Sequence, residues 1–300
     1  SMWIPLVICS AVFLGIYDIF KKLSLKGNAV LLVMLISSAT SLLMFLPLII
    51  LSSVSPLALE GTVFFIPYTN PHDQFLIFIK SIIVWASWIF SFFAMKYLPI
   101  SIVGPIRSSA PMWTLCGAVL VLHESLTASQ WCGILLIIIS LYLYSFLGKK
   151  EGIRFSRNIW IVFIFLGTIL GSVSALFDKY LIAQCGIPKM EVQAYFSIYQ
   201  FLLMIPTVMI LWFPNRKYAD KFQWRWTIPL IGVFLVFADF FYFYAISIPG
   251  ALIAVISAIR RSNVIISFLA GAVIFKEQNI VKKGFVLIGV LLGIGILYLK

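Results

Sequence analysis

The sequence predicts an all-α integral membrane protein, with ten transmembrane helices arranged as two inverted five-helix repeats. Three observations predict it. The first is composition. Of the 300 residues, 62% are hydrophobic and 11% charged, with mean hydropathy +1.09; a soluble domain has about 25% charged residues. The second is a series of long apolar runs, since a bilayer span needs about 20 such residues. The third is a repeated spacing. Arg107 lies seventeen positions before Glu124, and Arg260 lies seventeen before Glu277. Each arginine falls inside an apolar run and each glutamate just past its end. A mid-span arginine costs about 2.5–3.5 kcal/mol on insertion scales, so a chain that keeps one in each half is expected to use them.

The runs fall at 3–20, 28–51, 74–97, 100–121, 130–147, 158–178, 192–213, 226–246, 250–274 and 281–299. The first has no basic region before it and no small-residue cleavage site after it, so it reads as a spanning helix rather than a signal peptide. Ser1 before Met2 reads as an expression scar. The loop 52–73 holds Pro56, Pro67 and Pro71 and no long apolar run. Thr127 with Gln130 reads as a capping box opening the fifth helix, and Gly148 as its stop. Asn279 is placed to cap the tenth. Trp160, Trp212, Trp224, Trp226 and Tyr298 mark run ends, where the bilayer interface favours aromatic rings.

The halves, 1–148 and 156–300, repeat. "LGIYDIFKK" matches "LGSVSALFDKY" through Leu14, Gly15, Phe20 and Lys22 against Leu170, Gly171, Phe177 and Lys179. Five helices per half is odd, so the second copy enters the membrane upside down. Inverted repeats mark transporters, with the substrate site near the midplane between the halves. Basic residues concentrate after odd-numbered helices, among them Lys21, Lys22, Lys149, Lys150, Arg154, Arg216, Lys217 and Lys221; the other side holds Lys179, Lys189 and Lys300. The charge rule therefore predicts cytoplasmic odd-numbered connections and external termini.

Several classes are disfavoured. The net charge of +12 is scattered between apolar runs, which speaks against a nucleic-acid partner. Cys9, Cys116, Cys132 and Cys185 lack metal spacing and are expected as small buried hydrophobes. His72 and His123 are too far apart for a metal site. No GxxxxGK[ST] motif is present for ATP, and no HExxH or GxSxG for an intramembrane enzyme. No cofactor is expected.

The stretches "FAMKYLPISIVGPIRSSAP", "GAVLVLHESLTASQWCGILL" and "GAVIFKEQN" resemble the drug/metabolite transporter superfamily in its ten-helix EamA-type form. Glu124-Ser-Leu-Thr-x-x-Gln130-x-x-Gly133 is similar to that family's motif at the fourth-to-fifth helix turn. The resemblance spans nearly the whole chain, although Leu-Thr is absent after Glu277 and Gly284 comes early. It implies secondary transport of a small polar or anionic metabolite (amino acid-like, an organic acid or similar) by alternating access, in an exporter or exchanger of the bacterial inner membrane with a coupling ion or proton as a further partner. It also implies a cavity lined by helices three, four, eight and nine. It further implies cytoplasmic termini, against the charge count. A non-transporting scaffold or receptor remains the alternative.

Within that frame the candidate binding residues are Arg107, Ser108, Trp85, Trp88, Asp239, Tyr242, Arg260 and Asn263. Arg107 and Ser108 sit between Pro105 and Pro111, where proline bends a helix. Arg107 reads as a contact for a substrate anion or as a structural cation. Asp239 and Arg260 are equally far from the 247–250 turn and are expected to pair across it, as a neutralising pair, a gate or a proton-coupling site. Trp85, Trp88, Tyr242 and Tyr244 read as cavity walls or core aromatics. Lys80, Asp18 and Asp178 read as charges snorkelling toward the interface. Glu124 and Glu277 are expected to anchor turns. Gly167-x-x-x-Gly171 and Gly289-x-x-x-Gly293 suit helix packing, inside the fold or in a homodimer.

Overall fold

A computed structural model describes residues 2–97, 106–147, 158–270, 273–274 and 280–298. Among them there is no strand. The main helices are α1 (Trp3–Leu25), α2 (Val30–Val54), α3 (Pro71–Tyr97), α4 (Ala110–Leu120) and α5 (Ala128–Leu147) in the first half. The second half holds α6 (Ile159–Lys179), α7 (Lys189–Thr207), α8 (Thr227–Ser247), α9 (Ile253–Ala270) and α10 (Ile280–Tyr298). Helices therefore stand in each of the ten predicted runs. Eight are long and apolar enough to cross a membrane; α4 and the apolar part of α5, Ala128–Tyr144, are shorter. The fourth run extends into residues 98–105, outside those described. Glu277, Gly148 and Asn279 also lie outside the described residues.

The local signals at α5 and α6 act as their chemistry dictates. The Thr127 backbone N–H donates to Gln130 Oε1 at 2.9 Å, and Gln130 N–H donates to Thr127 Oγ1 at 3.3 Å. Reciprocal bonds of this kind satisfy helix N–H groups that have no intrahelical acceptor. Asn158 caps α6 through Trp160 N–H. α6 does not stop at 178. It continues through a π-helical turn, Tyr180–Gln184, which places Asp178 well inside the helix.

Helix pairs form the body of the fold: α1 with α8, α3 with α6, and α5 with α10, while α2 packs on α7 and α8, and α4 on α6 and α9. Small residues permit the close approaches. A Cβ on Gly293 would lie 2.9 Å from the Gly133 carbonyl oxygen, and one on Gly167 would lie 3.1 Å from that of Ser87. Lipid supplies no hydrophobic drive between helices, so such close backbone packing holds them together. Both glycine pairs thus serve contacts within one chain. The main core gathers where α9 begins: Ile253, Ala254, Val255, Ile256, Ala258 and Ile259 are all buried.

The four cysteines correct an expectation. All are exposed, as are apolar residues such as Ile139, Leu143, Phe285 and Leu292. In a membrane protein the outward face meets acyl chains, so a small apolar thiol is as well accommodated there as inside.

Candidate functional site

Two spans break at mid-run. Residues 106–108 are helical, Ser109 is a turn, and α4 resumes with Pro111 in its first turn. Ser109 Oγ donates to the Ile106 carbonyl at 2.5 Å. α9 is interrupted by a 3₁₀ turn at Arg261–Asn263, and Ser262 Oγ donates to the Ile259 carbonyl. Non-helical backbone at membrane depth survives where it lines a cavity or is buried in protein. Arg107 and Arg260 each sit at the edge of their break.

The breaks face a cavity of about 280 Å³ between the two halves. α1 supplies Tyr17, Asp18 and Lys21, α3 supplies Lys80 and Trp88, and α6 supplies Asp178; Arg107, Asp239, Tyr242, Arg260, Arg261 and Asn263 complete its polar lining. Five basic residues therefore face three acids. The cavity adjoins a smaller one of about 40 Å³ lined by α2, α7 and α8.

A chain of contacts crosses the site. Lys80 Nζ lies 2.7 Å from Asp178 Oδ1, with both side chains buried to within 4% of full exclusion. Lys80 also stands over the Phe196 ring at 4.4 Å. Tyr242 donates its hydroxyl to Asp178 Oδ2 at 2.9 Å. The Arg260 guanidinium lies 4.1 Å from the centre of the Tyr242 ring, and its Nη2 donates to Asp239 Oδ1 at 2.5 Å. One connected set of charges thus joins α3, α6, α8 and α9. Beside it Asn263 Nδ2 donates to Asp18 Oδ2 at 2.5 Å. The buried Arg261 Nε and Asn263 Oδ1 have no hydrogen-bond partner among the described residues.

Arg107, Trp88, Asp239, Tyr242, Arg260 and Asn263 all line the cavity as expected, and the Asp239–Arg260 pair exists. Ser108 is buried next to Arg107 but outside the lining. Trp85 points elsewhere: its Nε1 donates to Thr207 Oγ1 of α7 at 2.8 Å. Tyr244 receives Lys189 over its ring at 4.5 Å and also lies outside the cavity. Lys80 and Asp178 do not snorkel. Both are buried, and they neutralise one another.

The expected lining by four helices omitted α1 and α6. The signal was present in Asp18 and Asp178, acids inside apolar runs; a helix end set several residues too early concealed it. Lys21, counted as a loop cation, is a lining residue over the Phe92 ring at 4.2 Å.

Glu124 anchors a turn as expected, and the partner is remote in sequence. His123 takes a positive φ of 55° at the end of α4, where Glu124 N–H donates to the Ala118 carbonyl at 3.0 Å. This closes the helix and aims the carboxylate at α9. There it accepts Ile253 N–H at 2.9 Å and Ala254 N–H at 3.3 Å, with Lys179 Nζ 3.9 Å away. A carboxylate at a helix N-terminus complements the unpaired N–H groups and the dipole.

Comparison with known proteins agrees with this architecture. Residues 1–146 match the EamA-like transporter family. A solved structure described only as "Crystal structure of protein" is similar over 100% of this chain and 96% of its own, with TM-score 0.69 and 14% identity. At that identity the likeness shows the fold alone. No curated protein matches.

Proposed function

We propose, on the match of residues 1–146 to the EamA-like transporter family, that this multi-pass membrane protein moves a small anionic metabolite by alternating access. The observation that carries the reading is the charge of the cavity. Among the described residues, Lys21, Lys80, Arg107, Arg260 and Arg261 face Asp18, Asp178 and Asp239. Lys80 and Arg260 are matched by Asp178 and Asp239. Among the described residues the lining thus carries two more cations than acids. An anion entering this space exchanges its hydration shell for fixed cations and for the unpartnered Arg261 Nε. That exchange offsets its desolvation. Breaks in α4 and α9 give the two halves a place to bend. The Asp239–Arg260 pair, which is partly exposed to the cavity, closes or opens one side as its contacts exchange.

Flux into proteoliposomes tests the reading. Labelled mono- and dicarboxylates should accumulate or exchange, while matched amines and neutral amides should not. Arg107→Gln should reduce anion uptake without changing the order of preference. Selective uptake of cations, or no flux of any small metabolite, would overturn it.

The charge count favours cytoplasmic 148–157 and 214–225 connections and external termini, in a bacterial inner membrane. A single cysteine at Asn215, in a background without the four native ones, should resist an impermeant thiol reagent in intact cells. Ready labelling there reverses the orientation and leaves the fold untouched.

A further inference from the structure

The smaller cavity beside the basic one has a different chemistry. Its polar lining includes Ser37, Ser38 and Ser41 of α2 and Gln193, Ser197 and Gln200 of α7, and among the described residues Lys21 is its one basic residue. Most of these groups have spent their donors on the main chain. Ser37 Oγ donates to the Met34 carbonyl, Ser197 Oγ to that of Gln193, Gln193 Nε2 to that of Val236, and Ser41 Oγ to those of Ser37 and Gly232. Their hydroxyl oxygens are left as acceptors.

Gln200 is the exception. It is 3% exposed, and neither Nε2 nor Oε1 has a hydrogen-bond partner among the described residues. A buried carboxamide with both functions unmet is costly. It lines a space of about 40 Å³, which is room for a hydroxymethyl or carboxamide group and too small for a ring. Tyr17, Lys21, Trp88, Phe92, Phe196 and Asp239 line both cavities, so one ligand can occupy the two at once.

We propose that Gln200 and the serine shelf form a second subsite, which takes a neutral donor–acceptor group of the substrate beside the anionic group held in the larger cavity. This rests on the anionic reading above and narrows it. The substrate class becomes an organic anion that also bears an alcohol or primary amide. A group that donates and accepts satisfies Gln200 Oε1 and Nε2 together, and its hydrogen also reaches the serine acceptors. An analogue without that group leaves the buried amide unmet, and such unmet groups are a strong basis of discrimination.

The test uses matched pairs of equal charge that differ only in that group: propionate against lactate, succinate against malate, and propionate against succinamate. Binding is titrated on the purified full-length protein by tryptophan fluorescence, with Trp88 standing between the cavities. The hydroxylated or amidated member should bind at least about 10-fold tighter in one pair or more. Gln200→Leu should bring that ratio close to one while leaving the affinity for the parent anion within about two-fold, since the basic cavity is unchanged. Gln200→Met, also uncharged but unbranched, repeats the measurement should the leucine variant not fold. The ratio within one variant is independent of the folded fraction. Equal binding of both members in the unsubstituted protein overturns the subsite, and so does a preference that survives Gln200→Leu; in both cases the anionic reading stands. Failure of every anion to bind overturns both.

Discussion

The breaks in α4 and α9 share a backbone device and differ in electrostatics. An offset of 153 relates Arg107 to Arg260 and Glu124 to Glu277. It also relates the two serine bonds, from Ser109 to the Ile106 carbonyl and from Ser262 to that of Ile259. The acid is not repeated. Arg260 is held by Asp239 and stacked on Tyr242, whereas the same offset from Asp239 falls on Ala86 of α3. The two arginines therefore have different work. The α9 arginine is wired into a network that ties four helices together, and the α4 arginine faces the cavity with Lys21 and Arg261. The serine bonds can repeat because a helix break needs only local hydrogen bonds, whereas the position of Asp239 is set by α8 and is not reproduced at the same offset in α3.

The strongest test removes the anchor of the α9 network. Lys80→Met alone leaves Asp178 buried without its cation and should cost about 3–5 kcal/mol in detergent unfolding. Adding Asp178→Asn should recover much of that loss. If the two single effects merely add, the residues are not coupled and the network description fails.

A second experiment sets the two arginines side by side. Arg260→Gln should lower stability by about 1–3 kcal/mol by stranding Asp239. Asp239→Asn in the same chain should restore part of it. Arg107→Gln should instead weaken anion binding about 10- to 100-fold, as expected for a lost charge-assisted bond, with a smaller change in unfolding. Equal losses of stability in the two variants, with no selective loss of binding, would erase the contrast.

The smallest effect lies at the turn that follows α4. Glu124→Gln keeps one acceptor oxygen for Ile253 N–H, replaces the one facing Ala254 N–H by an amide donor, and removes the charge. It should lower stability by about 0.5–1 kcal/mol, and the loss should shrink in high salt. A loss that salt does not touch would mean that Glu124 acts through shape alone.

Much of this was legible in the chain. Mid-run arginines, the flanking prolines and serines, and the similar distance of Asp239 and Arg260 from one turn pointed to residues that line the cavity. Asp18, Lys21, Lys80 and Asp178 were misplaced for one reason: depth was judged from the ends of apolar runs, and α1, α6 and the start of α3 each extend past theirs. Trp85 and Tyr244 were misdirected because hydropathy states how deep an aromatic ring lies and says nothing of which neighbour it faces. Gln200 carried no signal at all, since a lone glutamine in an apolar run looks like any tolerated polar residue.

The sequence by itself determined that the chain is helical and membrane-embedded, where its spans lie, and that two of them would carry a cation. Those properties follow from composition and from local hydrogen bonding within a span. Only the tertiary structure decided which charges meet. The partners of Lys80, Arg260, Asn263 and Glu124 lie 98, 21, 245 and 129 residues away in sequence. No local pattern specifies a partner at such separations; helix packing does, by bringing α3 against α6, α1 against α9 and the end of α4 against the start of α9. It also decided which polar groups remain unpaired.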